Sequence, residues 1–197
     1  MFIQVIQGTV ADADHLQRQV AQWRSQLKPG ATGYLGATGG VTSDGRGVTL
    51  VRFDSEEAAR ANGERPEQSD WWAETSKAYG GDVQFHDCHE VDEGLGGGSD
   101  DAGFVQVIQG RAKDQEAMRR RLPELQAALK ERRPDILGMV IAWHGDGGGF
   151  TQAVYFTSAD AARQGESNTE GDELRTEYQG FFAEPPTFHD LDKPDLD

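Results

Sequence analysis

The sequence predicts an α+β protein made of two copies of one βαββαβ unit, with the two sheets packed face to face. Three observations carry this prediction. The phrase FIQVIQG at residues 2–8 returns as FVQVIQG at 104–110, and the same apolar helix pattern follows each copy. Residues 1–98 carry a net charge of −7 (15 acids, 8 bases) and residues 99–197 one of −8 (19 acids, 11 bases). Phrase, pattern and charge recur together, which indicates a tandem duplication.

The first strand of each copy leads into an amphipathic helix. Both helices show apolar residues at steps of four, three and four, which place them on one face of a helix. The two stripes are Leu16, Val20, Trp23, Leu27 and Met118, Leu122, Leu125, Leu129. Asp12 or Asp14 in the first copy and Asp114 in the second are expected to cap the helix starts. Pro123 predicts a kink or a late start in the second helix.

The next elements are a hairpin, a broken helix and a last strand. The segments GYLGAT and GVTLVRF are two strands joined by a glycine-rich turn, whose counterpart is GDGGG. Residues 55–79 predict a second helix that breaks near Pro66 and restarts at Ser69 or Asp70. VQFHDCHEV then reads as the final strand. In the second copy the match shifts by three residues after the helix, at 130–132, and then resumes, with Gly33 against Gly138 and Ala37 against Ala142. Beyond the glycine-rich turn, VRFDSEEAAR aligns with VYFTSADAAR.

This order is that of the ferredoxin-like split βαβ unit. Such a unit packs both helices on one face of its sheet and leaves the other face bare, so a second copy can cover it. We therefore predict two repeats, residues 1–91 and 104–197, the second with a short acidic tail. Residues 92–103, DEGLGGGSDDAG, have the composition of a flexible linker.

Composition excludes several classes of protein. The single cysteine, Cys88, excludes an internal disulfide framework, and neither a signal peptide nor a membrane-spanning stretch is predicted, so we expect a cytoplasmic protein. A net charge of −15 disfavours nucleic acid as a partner. The exception is the basic segment 119–133, RRRLPELQAALKERR, which we interpret as a solvated helix face.

These elements resemble the dimeric α+β barrel superfamily, and within it the antibiotic-biosynthesis-monooxygenase-like family. The resemblance rests on the βαββαβ order, the first strand FIQVIQG, the broken second helix with SDWWAETSKAY, and the closing VQFHDCHEV. It implies that one chain forms, as an intrachain pseudo-dimer, the barrel that two chains usually form. It also implies an oxidoreductase, a cofactor-independent monooxygenase acting on or binding a small planar aromatic compound. The alternative is a non-catalytic, small-molecule-binding or stress-associated barrel.

No cofactor is expected. Haem-degrading members of the superfamily carry an Asn near the end of the first strand and a His on the second helix, whereas this chain has Gln7 and Gln109 at the strand ends. Neither second helix, 55–79 or 158–182, contains a histidine. His86 and Cys88 share a strand face, but the second copy reads HDLD, so we do not expect a metal site.

Strand alternation gives the candidate pocket residues. We expect Phe2, Gln4 and Ile6 of the first strand to point between the sheets, with Tyr34 on the second strand and Met139, Ile141 and Trp143 as its counterparts. Such residues either line a pocket or pair with one another across the sheets. The full candidate set is Gln4, Tyr34, Arg52 and His86 with Gln106, Trp143, Tyr155 and His189.

The two copies differ at these positions, which bears on where a pocket lies. The first copy has Tyr34 and Arg52 where the second has Met139 and Tyr155 at the aligned positions. This difference favours a pocket in the N-terminal half. Trp72 lies off the core stripe and is either a partner contact or a residue at the pocket entrance. A monomeric pseudo-dimer is expected, with a homodimer of tandem chains left open.

Overall fold

The structure is a computed structural model and describes residues 1–145, 147–167 and 172–197. Asp146, in the second glycine-rich turn, and residues 168–171, within the predicted helix 158–182, lie outside the described residues. The strands are β1 Phe2–Thr9, β2 Tyr34–Val41, β3 Arg46–Phe53, β4 Gln84–Cys88, β5 Glu90–Gly94, β6 Phe104–Arg111, β7 Ile136–Trp143, β8 Gly149–Phe156, β9 Thr187–Leu191 and β10 Asp195–Leu196. The α-helices are α1 Ala13–Gln22, α2 Glu56–Gly63, α3 Pro66–Thr75, α4 Gln115–Arg132, α5 Ala159–Ser167 and α6 Asp172–Gly180.

The strands form two five-stranded antiparallel sheets, in the orders β10-β2-β3-β1-β4 and β5-β7-β8-β6-β9. Phe2 pairs with Phe53 in the first sheet, and Phe104 pairs with Phe156 in the second. The predicted α+β class, with two ferredoxin-like repeats packed sheet to sheet, is confirmed.

Each repeat gives its last strand to the sheet of the other repeat. The predicted single strand VQFHDCHEV is in fact two strands: β4 pairs with β1, and β5 crosses to pair with β7. In the opposite direction, the short strand β10 of the second repeat pairs with β2 of the first. The prediction of a flexible linker over 92–103 is therefore wrong at Asp92–Gly94, which lie in β5. Backbone pairing to the other repeat orders a segment that composition alone describes as flexible.

The two repeats keep a constant separation through their first three elements. Phe2 and Phe104 begin the first strands and Tyr34 and Ile136 begin the second ones, so no three-residue shift separates the copies there. The α-helix α1 is shorter than α4, but the helical segment of the first repeat continues beyond α1. It runs through a π-helical turn, Trp23–Leu27, and a 3₁₀ turn, Lys28–Gly30, and so reaches a similar length. The alignment shift predicted at 130–132 is wrong.

The observed helix starts agree more closely with the sequence-based predictions. Asp12 accepts a hydrogen bond from His15 N at 2.8 Å and Asp114 accepts one from Ala117 N at 2.9 Å, so both predicted caps are present. The second helix restarts at Pro66 rather than at Ser69 or Asp70, since proline fits the first turn of a helix. The helix α4 runs through Pro123 from residue 115 to 132.

The core between the sheets draws on both repeats and is built mainly from small aliphatic side chains. Ile3 and Val5 of β1 lie there with Val105 and Val107 of β6. The predicted orientation of β1 is therefore inverted: Ile3 and Val5 face the other sheet, and Gln4 lies on the opposite face. In the described part of the chain no helix is both long enough and apolar enough to span a bilayer.

Candidate functional site

A cavity of about 640 Å³ lies between the second sheet and helices α4, α5 and α6. Its wall is largely aliphatic and aromatic, with a few polar groups. Such a volume is in the range of sites that bind small organic molecules. The apolar lining residues are Ile108, Leu122, Leu125, Leu129, Ile136, Met139, Val154, Phe156, Phe182 and Phe188.

In the first repeat the corresponding space holds a continuous row of aromatic rings. Tyr34 contacts Trp23 with ring centroids 4.8 Å apart, Trp23 lies 6.4 Å from Trp71, and Trp71 lies 6.1 Å from Trp72. The second repeat has Leu125 where the first has Trp23, and Ile136 where the first has Tyr34. Smaller side chains at these two positions leave space open in the second repeat, so the cavity lies there and not in the N-terminal half that the sequence comparison favoured.

Two neutral polar groups stand on the cavity wall. The Tyr178 hydroxyl donates a hydrogen bond to Gln152 Oε1, and Gln152 Nε2 lies 3.7 Å from Met139 Sδ. Burial raises the pKa of Tyr178, and the hydrogen bond to Gln152 opposes this only in part. Tyr178 therefore stays protonated at neutral pH, where it acts as a hydrogen-bonding group and not as a base.

A charged cluster forms another part of the wall. Gln106 Nε2 donates to Asp190 Oδ1 at 3.1 Å, and Arg163 Nη1 lies 2.9 Å from Glu166 Oε2. Arg163 also pairs with Asp190 and stacks over the ring of Phe104 at 5.3 Å. Hydrogen bonds from Arg163 to Glu166 and its charge contacts with both acids raise the pKa of Arg163. The cluster places two carboxylates on the cavity wall.

Arginine side chains complete the wall. Arg133 forms two hydrogen bonds with Asp135, at 2.9 and 2.7 Å, and its guanidinium lies 5.8 Å from the Phe156 ring centroid. A Cβ at Gly165 would overlap the Arg133 guanidinium, so glycine at 165 makes room for it. Arg132 and Arg175 also line the cavity. The basic segment 119–133 is therefore more than a solvated helix face.

Four predicted site residues face the other sheet, as expected, but they are not in the cavity. Tyr155 Oη lies 2.6 Å from Thr38 Oγ1 of the first repeat, and burial raises the pKa of Tyr155. Arg52 Nη2 donates to the Asp197 carbonyl at 3.3 Å. His86 and His189 pair in register with Val5 and Val107, so they also face the space between the sheets.

The end of this interface near His86 and His189 is polar. Gln109 Nε2 donates to Gln7 Oε1 at 2.7 Å across the sheets, which joins equivalent residues of the two repeats. The imidazole of His86 stacks on that of His144 at 4.2 Å, with the rings 3° from parallel. These contacts agree with the alternative in which the polar candidates pair across the interface.

The remaining predicted residues lie on the helix side of the sheets. Gln4 donates to Asp87 Oδ1 at 2.8 Å, and Trp143 Nε1 donates to Asp92 Oδ2 at 2.6 Å. The inward orientations predicted for Gln4, Tyr34 and Trp143 were wrong. A β-bulge between Tyr34 and Gly36 turns Tyr34 to the helix side. Trp143 lies on the helix side because β7 alternates without interruption from Gly138 onward, and the predicted three-residue alignment shift, being odd, had exchanged the two faces. Trp72 packs on Phe85 at 5.3 Å inside the aromatic row.

Of the predicted residues only Gln106 lines the cavity, and sequence reasoning missed Gln152 and Tyr178. One signal was present. Gln152 interrupts the apolar strand β8, in which every residue is buried, and a buried amide needs a partner. Among the described residues no group of three or more His, Cys, Asp or Glu side chains is placed to hold a metal ion.

No protein-family profile matches the sequence, and no curated protein matches it. Solved structures do. A proposed monooxygenase from Lactobacillus acidophilus NCFM superposes with a TM-score of 0.74 at 14% identity, covering 98% of this chain and 94% of that one. An anthrone oxidase-like protein gives 0.64 at 11% identity, over 99% and 93%.

A third match is a ferredoxin-fold protein related to antibiotic biosynthesis monooxygenases from Listeria monocytogenes 4b F2365, with a TM-score of 0.50 at 11% identity, over 99% and 92%. The chain shares their fold. In each case a single chain of similar length matches both repeats, so the pseudo-dimeric arrangement occurs in these proteins too. The superpositions establish the shared fold, but sequence identities this low do not establish a shared reaction. The reaction is therefore argued from the cavity.

Proposed function

We propose that the cavity of the second repeat binds a small planar aromatic compound and that the protein is a cofactor-independent monooxygenase. One observation carries the proposal. One repeat fills the space between sheet and helices with tryptophan and tyrosine rings, while the other keeps about 640 Å³ open at the same place. An unfilled apolar volume costs packing energy, so its retention is a reason to infer a ligand.

The wall supplies what a phenol or quinone-like ring needs. The aliphatic residues of α4 and β7 contact the ring faces, while Gln152 Nε2 donates to a ring oxygen. The Tyr178 hydroxyl, which donates to Gln152 Oε1, accepts from a phenol hydroxyl. In this proposal Glu166 or Asp190, which both line the cavity, accepts a proton from the substrate. Loss of that proton makes the ring electron-rich enough to reduce dioxygen.

The net reaction on an anthrone-type ring balances without a cofactor. A ring CH₂ and one O₂ give a ring carbonyl and one water, with all four electrons supplied by the substrate. The role of the protein is to hold the ring, accept the proton and keep bulk water away from the reactive carbanion.

The proposal is tested by thermal unfolding with anthrone and hydroxyanthraquinones, followed by oxygen uptake with anthrone. A ligand at a hundred times its dissociation constant stabilises by about 2.7 kcal/mol. Leu125→Trp, which installs the residue of the first repeat, should abolish both the stabilisation and the oxygen uptake. Gln152→Leu and Tyr178→Phe should weaken both, whereas Tyr79→Phe, in the first repeat and outside the cavity, should change neither.

The outcomes separate the enzyme from the binding protein. Stabilisation without anthraquinone formation would support the alternative of a non-catalytic, small-molecule-binding barrel. Binding that survives Leu125→Trp unchanged would place the ligand elsewhere and contradict the proposal.

A further inference from the structure

The cavity described above, the main cavity, adjoins a second cavity of about 400 Å³. Three residues line both cavities, so the two volumes meet at the side chains of Gln179, Phe182 and Phe188. The second cavity extends from there along the segment between α6 and β9. The other residues of its wall are Ala183, Glu184, Pro185 and Pro186.

Phe188, at this junction, lacks a ring partner that its counterpart in the first repeat has. Phe85 is the counterpart, because Phe85 pairs with Ile6 of the first strand as Phe188 pairs with Ile108. Phe85 packs on the ring of Trp72 at 5.3 Å. Phe188 is 54% exposed, and no aromatic ring in the described part of the chain packs on it. The few residues outside that part include no aromatic one.

The ring that the second repeat lacks is that of Trp72. In the first repeat Trp72 lies between Phe85 and Tyr79, with ring centroids 5.3 and 6.3 Å away. Phe182 corresponds to Tyr79, because each forms the isolated bridge just after the first strand of its repeat. Arg175 stands where the first repeat has Trp72, at the same number of residues before this bridge. The second repeat therefore keeps both flanking rings and lacks the one between them.

An aromatic group of a ligand can make the contacts that Trp72 makes. Aromatic pairs with centroids roughly 4.5–7 Å apart attract one another beyond the burial of their surface, and both distances of Trp72 lie in this range. The rings of Trp71 and Trp72 are tilted by 47° from each other. A fused ring system is flat and cannot follow that tilt, whereas two rings joined by a single bond can.

We propose that the ligand carries a second aromatic ring, joined to its body by a single bond, which lies between Phe182 and Phe188 while the body occupies the main cavity. This inference rests on the proposed function, because it takes the main cavity as the binding site. It adds to that proposal the shape of the ligand, an aryl-substituted aromatic compound, and the two residues that select the aryl group.

The test compares 2-naphthol, 6-phenyl-2-naphthol and 6-cyclohexyl-2-naphthol by fluorescence titration of the full chain. The wild type should bind the phenyl compound about three- to tenfold more tightly than the cyclohexyl compound, which has a similar apolar surface and no aromatic ring. Phe188→Leu should remove this preference, because it keeps an apolar side chain and removes the ring. Phe85→Leu, the same change at the counterpart in the first repeat, is the matched control and should keep it.

Arg175→Trp gives a second readout, because it installs the residue that the first repeat has at this position. The new ring should fill the space between Phe182 and Phe188 and lower the affinity for the phenyl compound to that for 2-naphthol. Arg175→Leu removes the same side chain and its contacts without adding a ring, so it should keep the preference. Each variant should still bind 2-naphthol, which shows that the main cavity is intact.

The outcomes separate this inference from the proposed function. Equal affinities of the wild type for the phenyl and cyclohexyl compounds would overturn the second ring and leave the main cavity as the aromatic site. A preference that survives both Phe188→Leu and Arg175→Trp would overturn its location. Binding of none of the three naphthols would overturn the inference, and failure of the anthrone and anthraquinone assays would then remove the proposed function as well.

Discussion

At the scale of residues, the protonation of His189, at the polar end of the sheet interface, affects the stability of the fold. Burial lowers the pKa of His189, and the nearby positive charge of Arg46 lowers it further, although Asp44 and Asp190 oppose this. Arg46 Nε is buried and finds no hydrogen-bond partner in the described part of the chain. The folded state therefore favours neutral His189, so its contribution to stability is present above the unfolded pKa of about 6.5 and declines as the pH falls toward the folded value.

We predict that removal of the Arg46 charge raises the pKa of His189. In an NMR titration of the imidazole signals, the His189 midpoint should lie below about 6.5 in the wild type and move upward in Arg46→Gln. Arg60→Gln, an exposed arginine on α2 that pairs with Glu64, should leave it in place. An identical midpoint in the wild type and in Arg46→Gln would show that Arg46 does not act on His189.

At the scale of elements, the short strand β10 is held by charges as much as by backbone pairing. Asp197 accepts hydrogen bonds from Lys28 and from Tyr34 Oη, the latter at 3.0 Å, and Arg24 pairs with Asp195 at 2.6 Å. Burial alone would raise the pKa of Asp197, but the hydrogen bonds from Lys28 and Tyr34 outweigh it, and the net shift is downward. The stability that this carboxylate gives is therefore present above the unfolded pKa of about 3.9 and lost as the pH falls through the lower folded value.

Asp197→Asn should lower the free energy of unfolding at neutral pH by on the order of 1 kcal/mol, because it removes the charge and keeps the shape. Thermal unfolding across the acid range should then show a flatter loss of stability in the variant than in the wild type. Asp192→Asn, an exposed acid just before β10, is the control and should follow the wild-type curve. Parallel curves for Asp197→Asn and the wild type would mean that Asp197 does not stabilise the fold through its charge.

The sequence predicted what depends on pattern and missed what depends on local irregularity. The duplicated phrase, the helix stripes and the caps Asp12 and Asp114 follow from periodicity and capping chemistry, and all are present. The face of Tyr34 was inverted because a β-bulge changes alternation by one residue, and bulges leave no reliable mark in a single sequence. The face of Trp143 was inverted because the predicted shift of three residues between the copies is an odd number. The replacement of Trp23 by Leu125 was visible in the sequence, but its meaning appears only once both side chains are placed in the same layer.

At the scale of the whole molecule, the exchange of β5 and β10 makes each repeat incomplete without the other. The face of the first sheet that carries Val5 and Leu50 is covered by the second sheet, and both side chains are at most 1% exposed in the full chain. Exposing such a face to water is costly, at roughly 25 cal/mol per Å² of apolar surface. Duplication within one chain gives the covering partner a high effective concentration, which two separate chains would lack.

We therefore predict that residues 1–95, produced alone, form a homodimer rather than a stable monomer. In that dimer β5 of each copy would pair with β2 of the other, the strand that β10 occupies in the intact chain. Light scattering should report twice the fragment mass, and the unfolding midpoint should rise with protein concentration because association and folding are coupled. Val5→Asp, which places a charge at the interface, should abolish the dimer, whereas Gln17→Asp on the exposed face of α1 should not. A folded monomer with a concentration-independent midpoint would show that the first repeat is a self-sufficient domain.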